Sequence, residues 1–151
     1  MANNFEHSHL HDDIKDYQSL EGLQILVVDD NEDSLFLMTV ILENYGVQVT
    51  TATSAILALE AIKNSRFDVL IFDIAMPEVD GYSLVRKARQ MLLLQQRLTP
   101  AIALTALSSE ESYNLALLSG FQSYVNKPVD AGILIAEITK LVRFPDGENQ
   151  E

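Results

Sequence analysis

Cysteine is absent from all 151 residues. That excludes disulfides, thiolate metal sites and cysteine nucleophiles, and it fits a cytoplasmic chain. Cations are scarce, with 10 Lys+Arg against 22 Asp+Glu and a net charge of −12. Nucleic-acid phosphate and anionic membranes repel such a chain, so neither is an expected partner. Divalent cations and basic protein surfaces are better matched. No apolar run approaches the roughly 20 residues that a membrane-spanning helix requires. The start, MANNFEHSHLHDD, has neither a basic opening nor an apolar core, so it does not read as a secretory signal.

The length suits one domain, large enough to bury roughly 68–70% of the surface its unfolded chain exposes. Residues 1–22 are polar, without sustained period, and read as a flexible N-terminal arm. His7, His9 and His11 alternate there ahead of Asp12 and Asp13. They read as a solvated tail rather than a metal site, because flexible isolated imidazoles make poor preformed ligands. Residues 144–151 (FPDGENQE) read as a C-terminal tail, leaving 23–143 as the folded unit.

Within that unit, short branched apolar runs alternate with longer helical patterns. The runs are 24–28 (QILVV), 47–51 (VQVTT), 68–72 (DVLIF), 101–105 (AIALT) and 123–125 (SYV). Continuous runs of this kind suit strands buried on both faces. Between them, apolar residues recur at helical spacing over 34–45, 54–63, 81–94, 110–119 and 130–142. Gly120 is placed to stop the fourth helix and Asp130 to cap the fifth. Five strand–helix units predict an α/β fold: a doubly wound, five-stranded parallel sheet in the order 2-1-3-4-5, flavodoxin-like (βα)5. Segment 91–98 (MLLLQQRL) is more apolar than a helix end and loop require. It is read as covering the sheet, with a partner surface as the alternative.

In such a sheet, ligands bind beyond the C-terminal strand ends, at the switch point between strands 1 and 3. Strand 1 ends in Asp29 and Asp30, strand 3 in Asp73 and strand 4 in Thr105, while Lys127 follows strand 5. Clustered carboxylates repel, and a hard cation relieves them. Mg²⁺ suits a few carboxylates, waters and a phosphate oxygen, whereas zinc would want thiolate or imidazole. Each residue also has a plain reading: Asp30 or Asn31 as a helix cap, Thr105 as a turn residue, Lys127 as a loop cation. Their convergence on one sheet edge favours a site.

The segments LQILVVDDN (23–31), VLIFDIAMPEVDGY (69–82), PAIALTA (100–106) and GFQSYVNKP (120–128) resemble bacterial response-regulator receiver domains. The resemblance covers roughly residues 22–143, with four segments matching in order and spacing. It implies a phosphorylation-dependent signalling switch rather than an enzyme. Asp73 would be the phosphoacceptor, supplied by a histidine kinase or a histidine phosphotransfer protein. Asp29, Asp30, Asp73 and the Ala75 backbone carbonyl would hold Mg²⁺. Lys127 and Thr105 would contact the phosphoryl oxygens, Thr105 and Tyr124 would form the switch, and a cis peptide would precede Pro128. Ala75 and Leu107 carry no group to orient an attacking water, which implies slow self-dephosphorylation.

Few residues follow the last helix, so the expectation is a stand-alone regulator or a receiver from a hybrid kinase, acting through protein contacts. The alternatives are a degenerate receiver that binds partners without phosphorylation, and a haloacid-dehalogenase-type phosphatase. The latter needs an Asp where Ala75 stands.

Overall fold

The computed structural model describes residues 20–143. The expected arm up to residue 19, with its three histidines, and the tail at 144–151 lie outside the described residues. Five strands alternate with five helices: β1 (Gln24–Val28), α1 (Glu32–Glu43), β2 (Gln48–Ala52), α2 (Ala55–Asn64), β3 (Val69–Asp73), α3 (Gly81–Leu94), β4 (Ala101–Thr105), α4 (Glu110–Ser119), β5 (Ser123–Asn126) and α5 (Ala131–Arg143). The strands form one parallel sheet in the expected order β2-β1-β3-β4-β5. Among the described residues, no helix is long and apolar enough to cross a membrane.

The two-residue period of a strand sends alternate side chains to opposite faces, and each face has its own core. Leu26, Val28, Leu70, Phe72, Ala101 and Ala103 pack with α2, α3 and α4. Ile25, Val27, Val69, Ile71, Ile102 and Leu104 pack with α1 and α5. Continuous apolar strands are therefore what the three central positions require, and β3 and β4 are buried at every residue. Each fully buried Leu, Ile or Phe contributes roughly 1.5–3 kcal/mol. Strand β2 departs from the expectation of two-sided burial. Of its residues only Ala52 is buried, because β2 lies at the sheet edge and Thr50 and Thr51 face solvent.

Segment 91–98 also departs from its reading as a sheet cover. Leu92 is buried, but Leu93, Leu94 and Leu98 are 59%, 87% and 83% exposed. The helix turns Met91 and Leu92 toward the core here, and the apolar run is longer than that stripe.

Ahead of β1, Leu20 is fully buried and Gly22 N–H donates to Gly46 O at 2.8 Å. A polar side chain caps every helix N-terminus. Asn31, Ser54, Asp80 and Ser109 accept from the N–H three residues on, and Asp130 accepts from Ile133 N–H. Gly120 ends α4 with φ +129°, a backbone that L side chains rarely adopt. At the opposite end of the sheet, Arg89 of α3 donates to Gly120 O at 3.0 Å, to Gln122 Oε1 at 2.6 Å and to Thr99 O. Burial lowers its pKa, and the oxygens around it keep the guanidinium satisfied.

Candidate functional site

Strand β1 runs directly into Asp29, whose backbone N–H still bonds Ala52 O of β2 at 3.1 Å. Strand β3 ends in Asp73, paired in register with Leu104 of β4. Parallel pairing thus brings the two carboxylate-bearing ends side by side. Asp29 is 1% exposed, Asp73 is 3% exposed, and Asp30 is exposed. One oxygen from each of the three lies within 4.8 Å of the others.

Lys127 reaches this cluster from the β5–α5 connection. Its Nζ lies 3.1 Å from Asp73 Oδ1 and 3.5 Å from Asp29 Oδ2. The main chain holds it there through Lys127 N–H to Thr105 O at 2.9 Å, and the Lys127–Pro128 peptide is cis, as the resemblance implies. The Asn31 N–H donates to Asp29 Oδ1 at 2.9 Å, and the Ala75 N–H donates to Asp73 Oδ1 at 3.4 Å. The choice left open for the α1 cap falls to Asn31, which accepts from Ser34 N–H at 2.9 Å. Asp30 is therefore not consumed as the cap.

Burial is the largest influence on Asp73 and raises its pKa above the ordinary carboxylate value. The Lys127 hydrogen bond works against this, and the charge of Asp29 adds to it. For Lys127, burial opposes the charge, but its hydrogen bonds and attractions to Asp73 and Asp29 together outweigh burial, so its pKa is raised. The contact favours the ammonium more than the carboxylate because Asp73 is desolvated by burial and repelled by Asp29, whereas Lys127 is attracted by both carboxylates. One ammonium is thus shared between two buried carboxylates, and a third carboxylate stands beside them at the solvent edge.

Thr105 closes β4, is 5% exposed and lies opposite Asn126 in register. Its hydroxyl donates to Leu107 O at 3.2 Å and accepts from Leu107 N–H at 3.0 Å. Tyr124 is half-buried on β5, opposite Ala103. Ala75 is exposed at the start of the β3–α3 loop. The structure therefore brings Asp29, Asp30, Asp73 and Lys127 together, sets Thr105 and Ala75 on the same edge of the sheet, and places Tyr124 two residues short of that edge on β5.

Two residues here had no individual signal in sequence. Gly81 opens α3 with its N–H on Ile74 O at 3.0 Å. A Cβ there would lie 2.5 Å from Asp73 O and 2.9 Å from Ile74 Cα. Tyr113 of α4 stacks on Tyr124, with ring centroids 3.8 Å apart and planes 10° from parallel.

The receptor of these features is a widely shared scaffold. The family described as the response regulator receiver domain matches residues 25–139. An uncharacterized 14.6 kDa protein of Leptolyngbya boryana is 43% identical over 113 residues, covering 75% of this chain and 85% of that protein. The response regulator SaeR of Staphylococcus aureus is 35% identical over 118 residues, covering 78% of this chain and 50% of that protein. The chain spans about half the length of SaeR and of the transcriptional regulatory protein YxdJ of Bacillus subtilis. Among solved structures, a Francisella response regulator receiver domain superposes with TM-score 0.72 at 33% identity, over 83% of this chain and 100% of that one. The receiver domain of a Pseudomonas aeruginosa sensor histidine kinase superposes with TM-score 0.71 at 28% identity, over 81% of this chain and 98% of that one; its structure has a magnesium ion coordinated in the active-site cleft. Fold, strand-end carboxylates and sequence match therefore agree: the chain belongs to the response regulator receiver domains of two-component signalling.

Proposed function

We propose that Asp73 accepts a phosphoryl group and that the resulting charge switches the protein's contacts with a partner. The observation that carries this reading is the Asp73 carboxylate, buried yet 3.1 Å from Lys127 Nζ, inside a cluster of three carboxylates. A carboxylate so placed is a nucleophile with a cation beside it for the charge that spreads over a transferring phosphoryl group.

The donor set fits Mg²⁺. Three carboxylates carry more charge than one ammonium neutralises, all ligands are oxygens, and one, Asp30, is open to solvent. Asp29, Asp30, Asp73 and the Ala75 carbonyl would hold the ion. When bound, it would supply charge neutralisation for the phosphoryl oxygens and leave coordination positions for water. The other steps fall to the chain. An Asp73 oxygen attacks phosphorus in line as the bond from phosphorus to the donor's leaving atom breaks. The leaving group departs with that electron pair and takes a proton from solvent. Lys127 keeps its ammonium against the new oxygens, and Thr105 turns its O–H toward one of them. The phosphoryl group adds about −1.5 to −2 charge, and Tyr124 responds to the Thr105 movement as the second switch residue.

The phosphodonor is a histidine kinase or a histidine phosphotransfer protein, and the output is protein–protein contact. The switch occupies residues 23–143, with Leu20 and Gly22 packed against it ahead of β1, in a cytoplasmic protein. The phosphatase alternative finds no support at position 75, where a methyl group stands in place of an acid.

The test is intact-mass measurement after incubation with Mg²⁺ and acetyl phosphate, beside Asp73→Asn. The expected result is one added phosphoryl mass that requires Mg²⁺ and disappears in the variant. Phosphorylation that persists in Asp73→Asn overturns the acceptor assignment. Turnover of phosphate esters with no stable adduct returns the phosphatase.

A further inference from the structure

We propose that Tyr113 is a positioning residue that latches Tyr124 in the arrangement of the unphosphorylated protein, an inference that rests on the switch reading above. Tyr113 stands in the first turns of α4, and its ring lies on that of Tyr124 at 3.8 Å and 10°. Its hydroxyl donates to Asn126 Oδ1 at 3.1 Å. Asn126 is the register partner of Thr105. The Thr105 hydroxyl is itself engaged with the carbonyl and N–H of Leu107. The stretch from Leu107 to Tyr113 is therefore tied down at both ends, to Thr105 at one and to Tyr124 and Asn126 at the other.

Phosphorylation pulls on both ties. A phosphoryl oxygen accepts hydrogen bonds only, so Thr105 must give it the proton now donated to Leu107 O. The Leu107 N–H can keep its bond to the Thr105 oxygen, which makes this first tie easy to loosen. Tyr124 can turn toward Thr105 only by sliding off the Tyr113 face. The Tyr113 hydroxyl bonds Asn126 at a solvent-exposed position and does not touch Tyr124, so the stack is the contact that the turn of Tyr124 must break. Stacked aromatic pairs are stable enough to bias such an equilibrium by about two- to twelvefold. A competent state populated less often binds its ligand proportionally more weakly.

The experiment titrates the full chain with beryllofluoride in the presence of Mg²⁺ as a phosphoryl mimic. The readout is near-ultraviolet circular dichroism, which reports tyrosine cleanly because the chain has five tyrosines and no tryptophan. Tyr113→Leu should unfold at lower temperature yet reach half-saturation at about two- to twelvefold less beryllofluoride. Tyr113→Phe, which keeps the ring and loses only a solvent-exposed bond to Asn126, should titrate nearer to the wild type than Tyr113→Leu does. A purely structural role lowers stability without tightening the mimic, so the opposite signs identify a latch. Tyr113→Met carries the same test if the Leu variant does not fold. A wild type that responds while Tyr113→Leu and Tyr113→Met titrate unchanged or more weakly overturns the latch alone. A wild type that gives no response overturns the switch reading and the latch with it.

Discussion

Replacing Gly81 with Ala sets two effects against each other. Alanine favours a helix over glycine by up to about 1 kcal/mol in a helix interior, and less at a first position. Against this, the new methyl would sit 2.5 Å from Asp73 O and 2.9 Å from Ile74 Cα. Both are backbone atoms at the end of a fully buried strand, so neither can swing aside like a side-chain tip. Overpacking of this kind costs about 1–3 kcal/mol. The clash wins, and Gly81→Ala should lose about 1–2 kcal/mol, read as a fall in Tm of about 3–10 °C. The displaced atom belongs to the proposed phosphoacceptor, so the 3.1 Å contact between Asp73 and Lys127 stretches too. Misplacement by about 1 Å can cost a hundredfold in rate. Phosphorylation by acetyl phosphate should therefore slow by about ten- to a hundredfold, followed by mass spectrometry. Gly132→Ala is the control. There the added methyl would meet only Asp130 Oδ1, at 3.3 Å, and a shift of a few tenths of an ångström leaves that oxygen capping Ile133 N–H. The control should be neutral or slightly stabilising. Gly81→Ala with unchanged Tm and unchanged phosphorylation rate would refute the steric reasoning.

Mg²⁺ should raise Tm, with about 2.7 kcal/mol of stabilisation at a hundred times its Kd, and Asp30→Asn should remove most of that gain in a calorimetric titration. Lys127→Ala should destabilise the metal-free protein by about 1–3 kcal/mol, because it leaves two buried carboxylates without their cation; its Tm should then rise more with Mg²⁺ than that of the wild type, and an equal rise refutes the shared-ammonium geometry. Asp73 has a raised folded-state pKa, so its charge is a cost to folding that is present at neutral pH and vanishes as pH falls through the folded pKa toward 3.8. Metal-free Asp73→Asn should accordingly be as stable as the wild type or more so at pH 7, with the gap closing in acid; a variant that is less stable at pH 7 contradicts that sign. With no polar side chain at Ala75 or Leu107 to orient water, the phosphorylated protein should persist for minutes to hours, and decay within seconds in a phosphate-release assay would contradict it.

The strand order and the meeting of Asp29, Asp30, Asp73 and Lys127 were legible because the strand–helix alternation and the polar residues at the strand ends are local patterns. Branched apolar runs such as QILVV and DVLIF suit strands buried on both faces, and in a parallel sheet the polar residues that follow them lie at one edge. VQVTT looked similar in sequence but lies at the sheet edge, where one strand neighbour is missing and two threonines face water. Asp30 and Asn31 were equivalent cap candidates until backbone geometry gave the cap to Asn31. Gly81, Tyr113 and Arg89 were not legible as individual residues. Gly81 matters through an approach of one backbone to another, Tyr113 through a ring on a different element, and Arg89 reads in sequence as an ordinary helix-surface cation. None of those relations leaves a local pattern.

Arg89 gives the sheet unequal ends. One guanidinium fastens the residues just before β4 to the turn entering β5, through oxygens of Thr99, Gly120 and Gln122. At the C-terminal end of β4, Thr105 rests on a two-residue hydrogen-bonded ring, while Tyr124, within β5, rests against a single aromatic face. The start of the β4–β5 pair is therefore fastened by a charged side chain that the Thr105 end lacks, where main-chain bonds from Ile74 to Leu104 O and from Lys127 to Thr105 O are what hold the strand. Amide exchange should show the gradient: slow at Ala101, whose N–H is held by Gln122 Oε1, and fast at Leu107, with Arg89→Met levelling the two.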